Sequence, residues 1–173
     1  LTAVNLLFHI EVYQNGTAGL SVRLGIPAVL PMIMLIGGRV IPSFTGTWLK
    51  QRPPGRLPAP FGRYDAITIA ISVAALVVWT GAPEDSWTAA LMLVAGGLNC
   101  GRLARWAGER SLAEPLVLVL HVGFAFIPLG FIAMAGSILL ADPVPYGAAI
   151  HLWTAGGIGM MTIAMMTRVC LGH

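Results

Sequence analysis

Charge is scarce in this sequence. Charged residues make up 10% of 173 residues, against about a quarter in a soluble domain. With 57% of residues hydrophobic, that shortage excludes an ordinary soluble fold and points to a membrane-embedded chain in contact with the lipid bilayer. Cysteine is scarce too: Cys100 and Cys170 stand apart, so neither a disulfide framework nor a zinc motif is written here. No basic run is interleaved with aromatics, which argues against nucleic acid as a partner. There is no phosphate-binding glycine loop, no paired carboxylates within an apolar run, and no Ser/His/Asp arrangement. The chain opens on Leu1 without a signal-peptide pattern and closes on His173 straight after a helical run. The expectation is that 1–173 is a fragment of one larger transmembrane bundle, whose missing helices are its partners.

What is present is a series of apolar runs: 1–13, 21–41, 65–81, 86–102, 114–139 and 146–168. The first is too short to cross a bilayer and reads as the tail of a helix. The others suit the roughly 17 to 25 residues that a spanning helix needs. The expected fold class is all-α: a polytopic transmembrane helix bundle with one partial and five spanning helices. Asp65, Asp85 or Ser86, and Glu114 supply acceptors where helix starts leave amide donors free. Pro115 suits a first helical position, and Pro42, Pro83 and Pro143 predict helix stops.

Lysine and arginine set the orientation. A basic loop at about 46–64 holds Lys50, Arg52, Arg56 and Arg63. Arg102, Arg105 and Arg110 follow the fourth run, and Arg168 ends the last. These alternate with Glu11, with Glu84 and Asp85, and with Asp142; only Arg23 breaks the pattern. The basic connections are therefore expected in the cytoplasm.

The histidines carry the functional signal. His9, His121, His151 and His173 lie in or beside apolar runs, and an imidazole in hydrocarbon is usually paired, inward-facing or bound to something. Imidazole also ligates haem and metals. The orientation puts His9 and His151 near the non-cytoplasmic face. His121 falls about 10 Å below the cytoplasmic boundary at 1.5 Å per residue, and His173 at that boundary. His151 and His173 are about 33 Å apart along one helix, so they cannot share a metal. The matching pairs are His9 with His151 and His121 with His173. The plainer alternative for each is a buried imidazole bonded to a carbonyl across helices.

Other residues have two readings. Met160, Met161, Met165 and Met166 are soft ligands or adaptable packing. Cys170 and His173 are three apart and can share a helix face. Arg39 either snorkels to anchor its helix or grips an anionic group such as a haem propionate. Gly37 and Gly38 permit close approach of a flat ligand or a helix. Gly97 with Gly101, and 155–159, read as helix-packing surfaces. Asn5, Asn99, Thr154 and Thr162 are candidates for holding helices or orienting imidazoles.

The closing stretch AIHLWTAGGIGMMTIAMMTRVCLGH resembles the NnrS family. GGRVIPSFT at 37–45, PLVLVLHVGF at 115–124 and NLLFH at 5–9 resemble it too, in the family's order and across essentially the whole chain. Cys170 stands where that motif leads one to expect Ser. The resemblance implies a bacterial inner-membrane protein of about twelve helices. It further implies haem and copper as cofactors, and a role in nitric oxide metabolism and resistance to nitrosative stress. His9, His121, His151 and His173 are then the candidate haem or metal ligands, and Arg39 a candidate propionate partner. Nitric oxide is the implied small ligand. The alternative is a multi-pass transporter or channel whose membrane histidines relay protons or bind substrate. A third reading is a structural subunit packing through its small-residue faces.

Overall fold

The computed structural model describes residues 1–140 and 145–171. Among them the chain is helical and without strands: α1 (Thr2–Asn15), α2 (Leu20–Leu49), α3 (Arg63–Gly81), α4 (Ser86–Ala104), α5 (Pro115–Leu139) and α6 (Tyr146–Leu171). A 3-10 turn, Gly108–Arg110, sits between α4 and α5. Neighbours in sequence pack antiparallel, as short connections require. Thr80 of α3 meets Arg23 of α2, while Asn99 and Arg102 of α4 meet Ser72 and Asp65 of α3.

Four helices, α2, α3, α5 and α6, are long and apolar enough to cross a membrane. The expected count of five spans plus a partial helix is therefore not reached by length and composition. α1 has only 14 residues. α4 has 19, but Asn99 and Arg102 fall in its last turns and lower its apolar character.

The expected stop at Pro42 is corrected: α2 runs through Pro27, Pro31 and Pro42 to Leu49. A proline removes one amide and orphans the carbonyl four residues earlier. For Pro27 that carbonyl belongs to Arg23, and Thr80 Oγ1 donates to it at 3.0 Å. Beyond Pro42, burial of Ile41, Pro42, Thr45 and Leu49 keeps the helix going, because packing of one face outweighs local propensity. Pro83 does follow the end of α3; Pro143 and Asp142 lie outside the described residues.

The three expected helix starts hold, two of them with a side-chain acceptor on a backbone amide. Asp85 accepts from the Trp87 amide at 3.0 Å, and Asp65 from the Gly62 amide at 3.1 Å. Glu114 does not cap α5; its Oε1 accepts from Arg168 Nη1 at 3.2 Å and ties the start of α5 to the end of α6.

α5 lies at the centre, against α2, α4 and α6. Trp153 packs edge-on to Trp79 at 5.6 Å and to Phe131 at 5.0 Å, and its Nε1 donates to the Ile127 carbonyl at 3.1 Å. Each such aromatic pair adds about 0.5 to 1.5 kcal/mol beyond simple burial. α5 and α6 interlock reciprocally: Gly130 makes room for the Trp153 ring, and Gly156 for Phe126. Gly156 lies in a π-helical stretch, Leu152–Met160, within α6. The small-residue surface at 155–159 is thus a packing surface, as expected. The Gly97–Gly101 pair is one only at Gly101, where a Cβ would run into the Tyr64 side chain of α3; Gly97 faces open space, and Gly96 makes the close approach to α5, where a Cβ would lie 2.7 Å from Ile132.

Candidate functional site

The most concentrated chemistry in the bundle is a buried ion pair. Asp65 lies in the first turn of α3 and Arg102 in the last turn of α4, both essentially without exposure. Arg102 Nε donates to Asp65 Oδ1 at 2.8 Å, and Arg102 Nη2 reaches the Met34 carbonyl of α2 at 3.0 Å. Asp65 Oδ2 also accepts from Arg105 Nη1 at 3.4 Å and from the Gly62 amide. Gly38 makes the reach to Met34 feasible: a Cβ there would run into Arg102 Nη2. Three helices are joined at this point. Of the Arg102 nitrogens, Nη1 is buried without a partner among the described residues. Around the guanidinium stand the rings of Phe61, Trp106 and Phe124, at 5.9, 5.5 and 5.6 Å. A charge removed from water requires such company.

His121 lies on the far side of Trp106, its ring 6.5 Å from the indole. It is buried, and Nδ1 bonds the Val117 carbonyl at 3.0 Å. The partner is therefore one turn back in its own helix, not across helices as the plainer alternative had it. A carbonyl only accepts, so Nδ1 carries the hydrogen and a neutral ring keeps a lone pair on Nε2. Nε2 is buried with no partner. The space before it is filled by the 3-10 turn, where a Cβ on Gly108 would lie 2.6 Å from His121 Cδ2 and 3.1 Å from Nε2. Ala107, in the left-handed region at φ 53°, brings that turn over the ring.

The remaining candidates are separate from this centre. His9 on α1 and His151 on α6 are both exposed, and neither makes a side-chain hydrogen bond to the described residues. They do share one end of the bundle. His9 stands six residues before the end of α1 and His151 five after the start of α6, about 9 and 8 Å from those ends at 1.5 Å per residue. His173 lies outside the described residues. Arg39 is exposed and lies over Phe61 at 5.0 Å. Met161 is buried packing against Gly37 and Gly123, whereas Met166 is exposed. Cys100 and Cys170 are free and exposed. Asn99 does join helices, Nδ2 donating to Ser72 Oγ at 2.9 Å, but Thr154 and Thr162 turn back on their own helix. Asn5 is exposed.

A family model described as NnrS protein matches residues 1–173, the whole length. The chain belongs to the NnrS family. Comparison with curated proteins and with solved structures finds no match.

Whether this NnrS chain can hold haem or copper depends on its donors. At His121 the tautomer suits a ligand, but the Gly108 turn leaves no room for a porphyrin beside Nε2. Among the described residues no three His, Cys, Asp or Glu side chains gather as a metal site. His9 and His151 are different, because their imidazoles are open to an incoming group. The Asp65–Arg102 pair was missed in the sequence, where both were read as helix-end charges. A signal was there: they start and end two adjacent runs joined by a short connection, and the ends of such a hairpin meet.

Proposed function

We propose that this NnrS chain is a haem-binding integral protein of the bacterial inner membrane, acting in nitric oxide metabolism or resistance to nitrosative stress. Family membership over 1–173 supports the reading. The observation that carries it to particular residues is that the imidazoles of His9 and His151 are exposed. These two are the haem-facing ligands, and His173 remains a further candidate. A haem held by these imidazoles would supply nitric oxide binding or single-electron transfer. Copper rests on the family resemblance alone. The ends bearing Lys50, Arg105 and Arg168 face the cytoplasm. α4 also crosses the membrane, its Arg102 neutralised by Asp65, which makes five spans plus the partial α1.

The test is an absorption spectrum of the detergent-purified protein, oxidised, reduced and treated with nitric oxide. A Soret band is expected, lost in a His9→Ala, His151→Ala double variant and kept in His121→Ala. A featureless spectrum from cells supplied with haem and copper would sink the proposal. The buried Arg102, with Nη1 unpartnered, favours transport as the second reading. It predicts pH-dependent flux in proteoliposomes without a Soret band.

A further inference from the structure

One face of α2 changes character along its length. Met32, Leu35 and Ile36 are exposed at 59%, 41% and 49%. Arg39, Ser43, Thr47 and Lys50 continue the same stripe, since steps of three, four and seven residues stay on one helix face. These four line a groove of about 590 Å³, whose opposite wall is Leu57, Pro58, Pro60 and Phe61. The groove thus has an apolar approach at one end and two cations with two hydroxyls further along.

Its depth follows from the neighbouring helix. Thr80 of α3 is level with Arg23, and Asp65 is joined through Arg102 to Met34. α3 begins at Arg63, so Arg39 stands about level with the start of that span. The last turns of α2 project beyond it. Arg39 therefore sits where hydrocarbon gives way to headgroups, with Met32, Leu35 and Ile36 on the hydrocarbon side.

The Arg39 guanidinium lies over Phe61 at 5.0 Å, which leaves its N–H donors free. Neither Arg39 nor Lys50 forms an ion pair among the described residues, although Arg56, Arg102, Arg105 and Arg168 all do. Thr45, Thr68, Ser72, Thr80, Thr154 and Thr162 bond the carbonyl four residues earlier. Ser43 and Thr47 make no such bond to the described residues, and both hydroxyls line the groove.

We infer that this groove binds the headgroup of an anionic phospholipid. The phosphate lies between the Arg39 guanidinium and the Ser43 hydroxyl, and the rest of the headgroup extends towards Thr47 and Lys50. An acyl chain lies along Met32, Leu35 and Ile36. Guanidinium and hydroxyl donors suit phosphate oxygens, and the apolar stripe below them distinguishes a lipid from a soluble anion.

The test is native mass spectrometry of the delipidated protein, titrated with phosphatidylglycerol or phosphatidylcholine. Phosphatidylglycerol should bind preferentially, and Arg39→Gln should weaken it about tenfold, the order of one charge-assisted hydrogen bond. Arg63→Gln, which removes the same charge outside the groove, should leave binding unchanged. Equal binding of the two lipids, or an equal effect of the two variants, would overturn the inference. So would full competition by millimolar inorganic phosphate, which marks a soluble-anion site. Loss of bound haem in Arg39→Gln with lipid binding intact would assign the guanidinium to a propionate and equally overturn it.

Discussion

The hydroxyl of Thr80 shares its hydrogen between the Leu76 carbonyl of its own helix and the carbonyl of Arg23, the one carbonyl that Pro27 leaves without its helical amide. One side chain on α3 thus repairs a break in α2 and fixes the register of the two helices. Thr80→Val should lower stability by about 1 kcal/mol, the net contribution of one partly buried hydrogen bond. In a Pro27→Ala background the amide returns, and the same substitution should have much less effect. A double-mutant cycle read by thermal unfolding in detergent checks this; additive effects would contradict it.

The Asp65–Arg102 pair should be far more sensitive to losing one partner than both. Asp65→Ala leaves a guanidinium buried among Phe61, Trp106 and Phe124, and about 3 to 5 kcal/mol should be lost. Asp65→Leu with Arg102→Met removes both charges and should recover much of that loss. Unfolding of the two variants side by side tests the difference.

Two adjacent glycines on α4 should respond oppositely. Gly96→Ala places a methyl 2.7 Å from Ile132, and overpacking of this kind costs about 1 to 3 kcal/mol. Gly97→Ala meets nothing within 4 Å and should stabilise by about 0.5 to 1 kcal/mol, because alanine is the better helix former. A destabilised Gly97→Ala would restore the glycine-pair packing surface.

The junction of α1 and α2 should loosen in acid. Glu11, outside the four candidate spans, accepts from the amides of Gly19, Leu20 and Ser21 and from the Ser21 hydroxyl. Chiefly through Ser21, these bonds hold its carboxyl down from 4.5 to about 2. A lowered folded value favours the folded junction above the ordinary carboxylate range. That contribution declines as pH falls from about 4.5 through about 2. A nitroxide attached at Thr17→Cys should gain mobility over that window, and Glu11→Gln should show the mobility at neutral pH.

Much of the bundle was legible in the sequence because apolar length is a local property. Runs of about 20 uncharged residues become helices wherever backbone polar groups must bond internally. Asp85 and Pro115 were equally readable as start signals, since capping involves only the next turn. Pro42 misled for the complementary reason: its local signal is a stop, and buried packing beyond it overrides that signal.

For the candidate site the division is sharper. The sequence by itself determined that four histidines lie in or beside apolar runs, because apolar length is read directly from the residues. Which histidines are open was decided only by tertiary structure. His121 is covered by the Gly108 turn while His9 and His151 face outward. Exposure depends on what packs across from a residue, and no spacing along one helix records that. For the same reason the meeting of Asp65, Arg102 and the Met34 carbonyl, from three helices, exists only in the folded chain.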